Sequence, residues 1–306
     1  MNNLPEEMAV EPLPAPVAVA ESPGLMGDLM LLTKARLSSL VLVTTFVGFC
    51  MASSGATDWF LLFRTLFGTA FVAASAAVLN QFLERKVDRL MARTKERPLP
   101  SGRMRPTTAL GLGVLLAAAG LIYLTNRVNP LAAALAGLTL VVYLLFYTPL
   151  KRRTSFCVHI GAVSGAIPPM IGWAAARSSL DAGAWILFGV LFFWQLPHFL
   201  AIAWMYRDEY AQAGFVMLRR CDIGGRCTAR ESFLATVALG LVTALPIFLK
   251  TVSLLFLAPA LLCNGLLIFC AVRFLLRRDR SSARRLFFAS IFYLPILLGL
   301  MVLAKI

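Results

Sequence analysis

The sequence predicts an all-α polytopic membrane protein, a bundle of about nine transmembrane helices. Three observations lead there. Of 306 residues, 59% are hydrophobic and 14% charged, whereas soluble domains run nearer about a quarter charged. Nine stretches are each long and apolar enough to cross a bilayer. Finally, 24 of the 29 Lys and Arg fall in alternate segments between those stretches. The formal charge of +14 would by itself suggest a nucleic-acid partner. Its confinement to alternate segments argues instead for an oriented membrane protein with no nucleic acid to bind.

The chain opens on MNNLPEEMAVEPLPAPVAVAESPG, rich in Pro, Ala and Glu and without a basic n-region. That is no signal peptide. It reads as a disordered cytoplasmic tail, residues 1–26, ahead of a transmembrane domain over 27–306. The spans follow at 38–55, 59–83, 107–125, 130–149, 156–175, 183–206, 232–250, 252–272 and 286–304. Lys34 and Arg36 precede the first. Eight basic residues lie in the 84–105 segment, three in 150–155, five in 207–230 and six in 273–285. Only Arg64, Arg127, Arg177, Lys250 and Lys305 stand on the other side. The positive-inside rule then puts the N-terminus in the cytoplasm and, after an odd number of spans, the C-terminus outside. In the fifth span Gly161, Gly165 and Gly172 permit close helix packing, and Pro168-Pro169 breaks the helix. The six cysteines are scattered. Cys221 and Cys227 share a cytoplasmic segment but lack CxxC spacing, which leaves no redox or metal motif.

Chemistry concentrates where the second span ends, in LNQFLERKVDRLMARTKERPLPSGR (79–103). Asn80, Glu84 and Asp88 step by four, so on a helix they share one face over about 12 Å. Two carboxylates and an amide oxygen are hard ligands of the kind that hold Mg²⁺ together with substrate phosphate. The same spacing also fits a solvated helix end with ordinary charge pairs. The basic run that follows favours the first reading. Arg93, Lys95, Arg97, Arg103 and Arg105 crowd one Pro-stiffened loop, and Arg forks match phosphate oxygens. Acid face and basic loop together make a candidate Mg²⁺–diphosphate site. The sixth span carries FFWQLPHFLAIAWMYRDEYAQAG (192–214). Its Asp208 and Glu209 come out at the cytoplasmic end. His198, about 15 Å up the helix from Asp208, is an intramembrane ionisable residue flanked by Gln195 and Pro197. His159 in the fifth span is a weaker candidate of the same kind.

These motifs, in this order, resemble the UbiA superfamily of intramembrane prenyltransferases, and within it the haem O synthase (protohaem IX farnesyltransferase) family. The resemblance covers about residues 28–304. LTKARLSSLVLVTTFVGF is similar to the family's opening helix, and the Asn-x-x-x-Glu-x-x-x-Asp run to its first Asp-rich motif. YTPLKRRT and GAIPPMIGW resemble the central motif. WQLPHFLAIAWMYRDEYAQAG resembles the Trp-Gln-x-Pro-His-Phe motif and the second acidic segment. Two departures stand out: the second segment has two acids where other branches have three, and Cys157 stands where the family commonly has Asn.

The resemblance implies a nine-helix bundle around a central cavity, in a bacterial inner membrane. It implies transfer of the farnesyl group of farnesyl diphosphate to the 2-vinyl group of protohaem IX, giving haem O, with haem B as substrate rather than cofactor. A haem A synthase would act downstream. Asn80, Glu84, Asp88 and Asp208 would hold Mg²⁺. Arg93, Arg97, Lys151 and Arg152 would bind the diphosphate. His198 and Gln195 would contact haem, His198 either as an axial ligand to iron or as a porphyrin-orienting group. Two other readings remain at this stage: a prenyltransferase acting on an aromatic or quinone precursor, and a transporter. The acids sit at the ends of spans rather than at mid-bilayer, where transporters place their polar groups, which favours an enzyme.

Overall fold

The computed structural model describes residues 24–306. The tail expectation therefore lies, as far as residue 23, outside the described residues. Helix α1 (Leu25–Leu32) is short and breaks at Thr33-Lys34, where Lys34 takes a left-handed backbone with φ of 48°. Then come α2 (Ala35–Ala52), α3 (Trp59–Asp88), α4 (Pro106–Arg127) and α5 (Pro130–Val141). A π-helical turn over Val142–Tyr147 and α6 (Thr148–Leu150) continue α5. The rest is α7 (Cys157–Ala166), α8 (Pro168–Arg177), α9 (Ala182–Met205), α10 (Arg207–Gln212), α11 (Arg226–Phe248), α12 (Leu257–Arg277) and α13 (Arg280–Leu303).

Among the described residues nine helical segments are long and apolar enough to cross a membrane, and they correspond one to one with the nine stretches read from the sequence. The protein is a multi-pass integral membrane protein. Large apolar side chains such as Trp59, Phe60, Phe63, Leu115 and Leu262 are exposed on its outer surface, where lipid is the solvent. Three of the helices start on a side-chain cap. Asp58 accepts from the Phe60 and Leu61 amides, Asn129 from Ala132 and Asp279 from Ser282.

The fifth span, α7 and α8 together, is the central one. In its most apolar stretch 78% of residues are buried, against 22% in α4. It can sit there because its neighbours approach at backbone distance. A Cβ on Gly172 would overlap the Thr45 carbonyl oxygen of α2, and one on Gly48 would overlap the Pro169 carbonyl oxygen of α8. One apolar core joins α9 to α11, α12 and α13, and a second joins α2 and α3 to α5 and α8. Between these cores lies a cavity.

Candidate active site

α3 is 30 residues long, so it carries its helical register past the apolar stretch to Asp88. That continuity keeps Asn80, Glu84 and Asp88 on one face, and all three are buried and line a cavity of about 470 Å³. A basic group already holds each of them. Lys34 Nζ donates to Asn80 Oδ1 at 2.9 Å. Lys151 Nζ donates to both Glu84 carboxylate oxygens at 2.9 and 3.1 Å. Arg97 Nη1 donates to Asp88 Oδ2 at 2.8 Å. Asn80 Nδ2 also donates to Glu84 Oε2 at 2.9 Å, which fixes the amide with its oxygen toward Lys34. Burial opposes the Lys151 charge, but Tyr147 and Glu84 beside it outweigh that cost, so its pKa lies above the ordinary lysine value. With Arg93 also lining the cavity, the mouth has four cations to two carboxylates and suits an anion.

The opposite wall comes from the π-helical turn, a distortion common at functional sites. It brings Tyr143 and Tyr147 to the cavity, their rings 5.4 Å apart, with Lys151 Nζ 4.5 Å from the Tyr147 ring centre. Farther in, the lining turns apolar, with Val41, Val72, Ala73, Ala76 and Ile171. Gln195 reaches this wall from α9, its Nε2 donating to the Leu191 and Ala162 carbonyls at 3.0 and 3.3 Å.

The structure brings Asn80, Glu84, Asp88, Arg93, Arg97, Lys151 and Gln195 to one chamber. Four of the sequence candidates are not brought there. Asp208 is on α10, outside the cavity, with its side chain 86% exposed beside Arg207 at 3.6 Å. The reason is a helix break: α9 ends at Met205, so the register that put Asp208 below His198 stops short of it. Arg152 is exposed because Lys151, Arg152 and Arg153 form a turn, and only Lys151 faces inward. His198 stands beside the cavity-lining Gln195 and Ile202 on α9 but does not line the cavity itself. Its Nδ1 is 2.8 Å from Ser290 Oγ of α13, and its ring packs against Trp194 and Phe287. His159 pairs with Glu231 at 2.9 Å, also outside this chamber. Sequence reasoning missed Lys34, Tyr143 and Tyr147. The two tyrosines, four apart in an otherwise apolar span, were the available signal.

The donor set fits a divalent cation. Among the described residues no three His, Cys, Asp or Glu side chains gather at one point. An ion here would take Glu84, Asp88 and the Asn80 oxygen, and fill its shell from phosphate and water, as Mg²⁺ prefers.

A membrane cavity with an acid face, a basic rim and an apolar interior defines a membrane-embedded prenyltransferase, and comparison with known proteins agrees. The chain belongs to the UbiA prenyltransferase family, whose model matches residues 41–294. Within it the chain falls among the protohaem IX farnesyltransferases. It is 42% identical to the protoheme IX farnesyltransferase of Solibacter usitatus, over 92% of this chain and 99% of that one. The fold is shared more widely. A digeranylgeranylglyceryl phosphate synthase superimposes with a TM-score of 0.79 at 18% identity, over 91% of this chain and 98% of that chain. A UbiA homolog from Archaeoglobus fulgidus bound to GPP and Mg²⁺ does so with a TM-score of 0.63 at 14% identity, over 90% and 99%.

Proposed function

We propose that this chain transfers the farnesyl group of farnesyl diphosphate to the 2-vinyl group of protohaem IX, giving haem O. The observation that carries the chemistry is the polar mouth on an apolar chamber, with Glu84 and Asp88 held by Lys151 and Arg97. Similarity to protoheme IX farnesyltransferases supports the choice of acceptor.

Asn80, Glu84 and Asp88 would hold Mg²⁺, which supplies charge neutralisation on the diphosphate. Lys34, Lys151 and Arg97, which now satisfy the same oxygens, are then free to turn to the phosphates with Arg93. The C1–O bond of farnesyl diphosphate breaks, and its electron pair leaves on the diphosphate. The four basic side chains stabilise that charge where it develops, in a site poor in water. Tyr143 and Tyr147 put π-electron density beside the allylic cation left behind. The apolar lining around Val72, Ala73 and Ile171 keeps water from it. The terminal carbon of the vinyl group forms the new C–C bond with its π electrons. A water molecule adds to the cation created on the adjoining carbon and loses a proton to solvent, which leaves the hydroxyl of haem O.

The basic end of the bundle faces the cytoplasm of a bacterial inner membrane, where farnesyl diphosphate is made, and the product passes to a haem A synthase. The decisive experiment incubates purified protein with haem B, farnesyl diphosphate and Mg²⁺ and looks for haem O by mass. Prenylation of an aromatic acid in place of haem would overturn the reading.

A further inference from the structure

The reaction needs two substrates, and the diphosphate mouth takes up one end of the chamber at Asn80–Asp88. Its volume, about 470 Å³, is at the low end of the roughly 300–1,000 Å³ that a single small-molecule site occupies. A second cavity of about 260 Å³ adjoins it. The two share Ala203, Tyr210, Phe215 and Met217 as a common wall. The second cavity is built by the end of α9, by α10 and by the loop after it, and it carries two basic side chains, Arg207 and Arg220.

We infer that this second cavity takes the propionate edge of the porphyrin, with Arg207 and Arg220 binding the propionates, while the macrocycle extends across the shared wall toward the diphosphate chamber. The inference rests on the farnesyl-transfer reading and names where its acceptor sits. Protohaem is a flat apolar macrocycle whose propionates lie on the edge opposite the 2-vinyl group. If the vinyl edge meets the diphosphate chamber, the propionate edge must point away from it, across the shared wall. That is where the two arginines are. Neither has a strong partner to lose. The Arg207 ion pair with Asp208 is 3.6 Å long and solvent-exposed, worth little. Among the described residues Arg220 makes no ion pair. Arg207 is held near the opening by stacking over Trp204, with its Cζ 4.5 Å from the ring centre. The apolar wall residues and the Tyr210 and Phe215 rings suit the face of a macrocycle.

The wall is tied to the groups that hold the diphosphate. The Val216 amide donates to the Lys151 carbonyl oxygen at 2.6 Å. Arg93 Nη2 donates to the Tyr210 hydroxyl at 3.3 Å. A shift of the Arg93 guanidinium toward a diphosphate would free the Tyr210 hydroxyl, which lines both cavities, while the Val216–Lys151 backbone bond stays.

Steady-state kinetics test the inference. Arg207→Ala and Arg220→Ala should each raise KM for haem B by about tenfold, the scale for losing one charge-assisted hydrogen bond. KM for farnesyl diphosphate should not move. The Lys variants at both positions should recover most of the affinity, which separates a charge contact from a folding defect. Wild-type protein given haem dimethyl ester, whose propionates carry no charge, should behave as the double variant does with haem B. The double variant should not distinguish acid from ester. An acidic lipid headgroup would offer the same chemistry. In that case the variants would lose equally with acid and ester, and the loss would vanish in vesicles of neutral lipid. That result, or active variants with wild-type KM for haem B, overturns the inference. Wild-type protein that makes no farnesylated haem would overturn the functional reading itself.

Discussion

At the scale of single residues the site divides into groups that hold charge and groups that only pack. Asp88 belongs to the first. Asp88→Asn keeps the size and can still accept from Arg97, so the helix end should survive while the charge that a cation needs is gone. Turnover should fall at least about 100-fold with unchanged protein level in the membrane, the scale for removing one strong electrostatic contact in a closed site. Normal turnover at saturating Mg²⁺ would take Asp88 out of the site. We place His198 in the second group. Its bond to Ser290 and its aromatic neighbours tie α9 to α13, away from the chamber. His198→Ala should therefore lower thermal stability in detergent by about 2–3 kcal/mol, and leave the Soret band of bound haem where it is. A shifted band at wild-type stability would put the ring on the iron instead. The contrast shows what a sequence discloses about a site. Asn80, Glu84 and Asp88 were legible because their relation needs only an unbroken helix across eight residues. Asp208, Arg152 and His198 lie outside the chamber because of a helix break, a turn and a bond from α9 to α13, none of which spacing along the chain shows. Lys34 was legible only as a topological charge, since nothing local marks a residue that reaches Asn80, 46 positions away.

Helices as elements were readable for a different reason: lipid imposes one rule on every span, and hydropathy measures it. What hydropathy misses is where a helix stops. α3 runs on to Asp88, α11 starts at Arg226 and α13 at Arg280, each about five or six residues beyond the apolar stretch. Charged residues that leave the bilayer remain good helix formers, and Asp279 caps the last of these helices at its charged end. The π-helical turn at Val142–Tyr147 was equally invisible, because it alters register without altering composition. Packing between elements gives a direct test. Gly172 has no room for a Cβ against the α2 backbone, whereas Gly111 in α4 has open space around it. Gly172→Ala should cost at least about 2 kcal/mol by overpacking, since the clash is with backbone and neither helix can yield by a rotamer change. Gly111→Ala should be neutral or up to about 1 kcal/mol stabilising. Thermal denaturation of detergent-solubilised protein compares the two. Equal stabilities would mean that α2 and α8 slide apart freely, and that the chamber they help to enclose is not rigid.

For the whole molecule, the distribution of charge and the position of the site are one fact seen twice. The end of the bundle that carries most of the Lys and Arg is the end at which Lys34, Arg93, Arg97 and Lys151 line the chamber. The orientation proposed from those charges would place the diphosphate mouth toward the cytoplasm. The chain's own cysteines can report that orientation without any engineered label. Cys221 and Cys227 are exposed in the basic segment between α10 and the start of α11. Cys50 and Cys157 are buried. Cys263 and Cys270 are partly covered and lie within α12, an apolar span that a charged reagent does not enter. A membrane-impermeant maleimide should therefore label the protein in inverted membrane vesicles and leave it unlabelled in intact cells. Replacing Cys221 and Cys227 together by Ser should abolish that labelling while activity remains. Labelling from the outside of intact cells would reverse the orientation. It would also put the chamber mouth on the wrong face for a cytoplasmic diphosphate, so the result bears on substrate supply as directly as on topology.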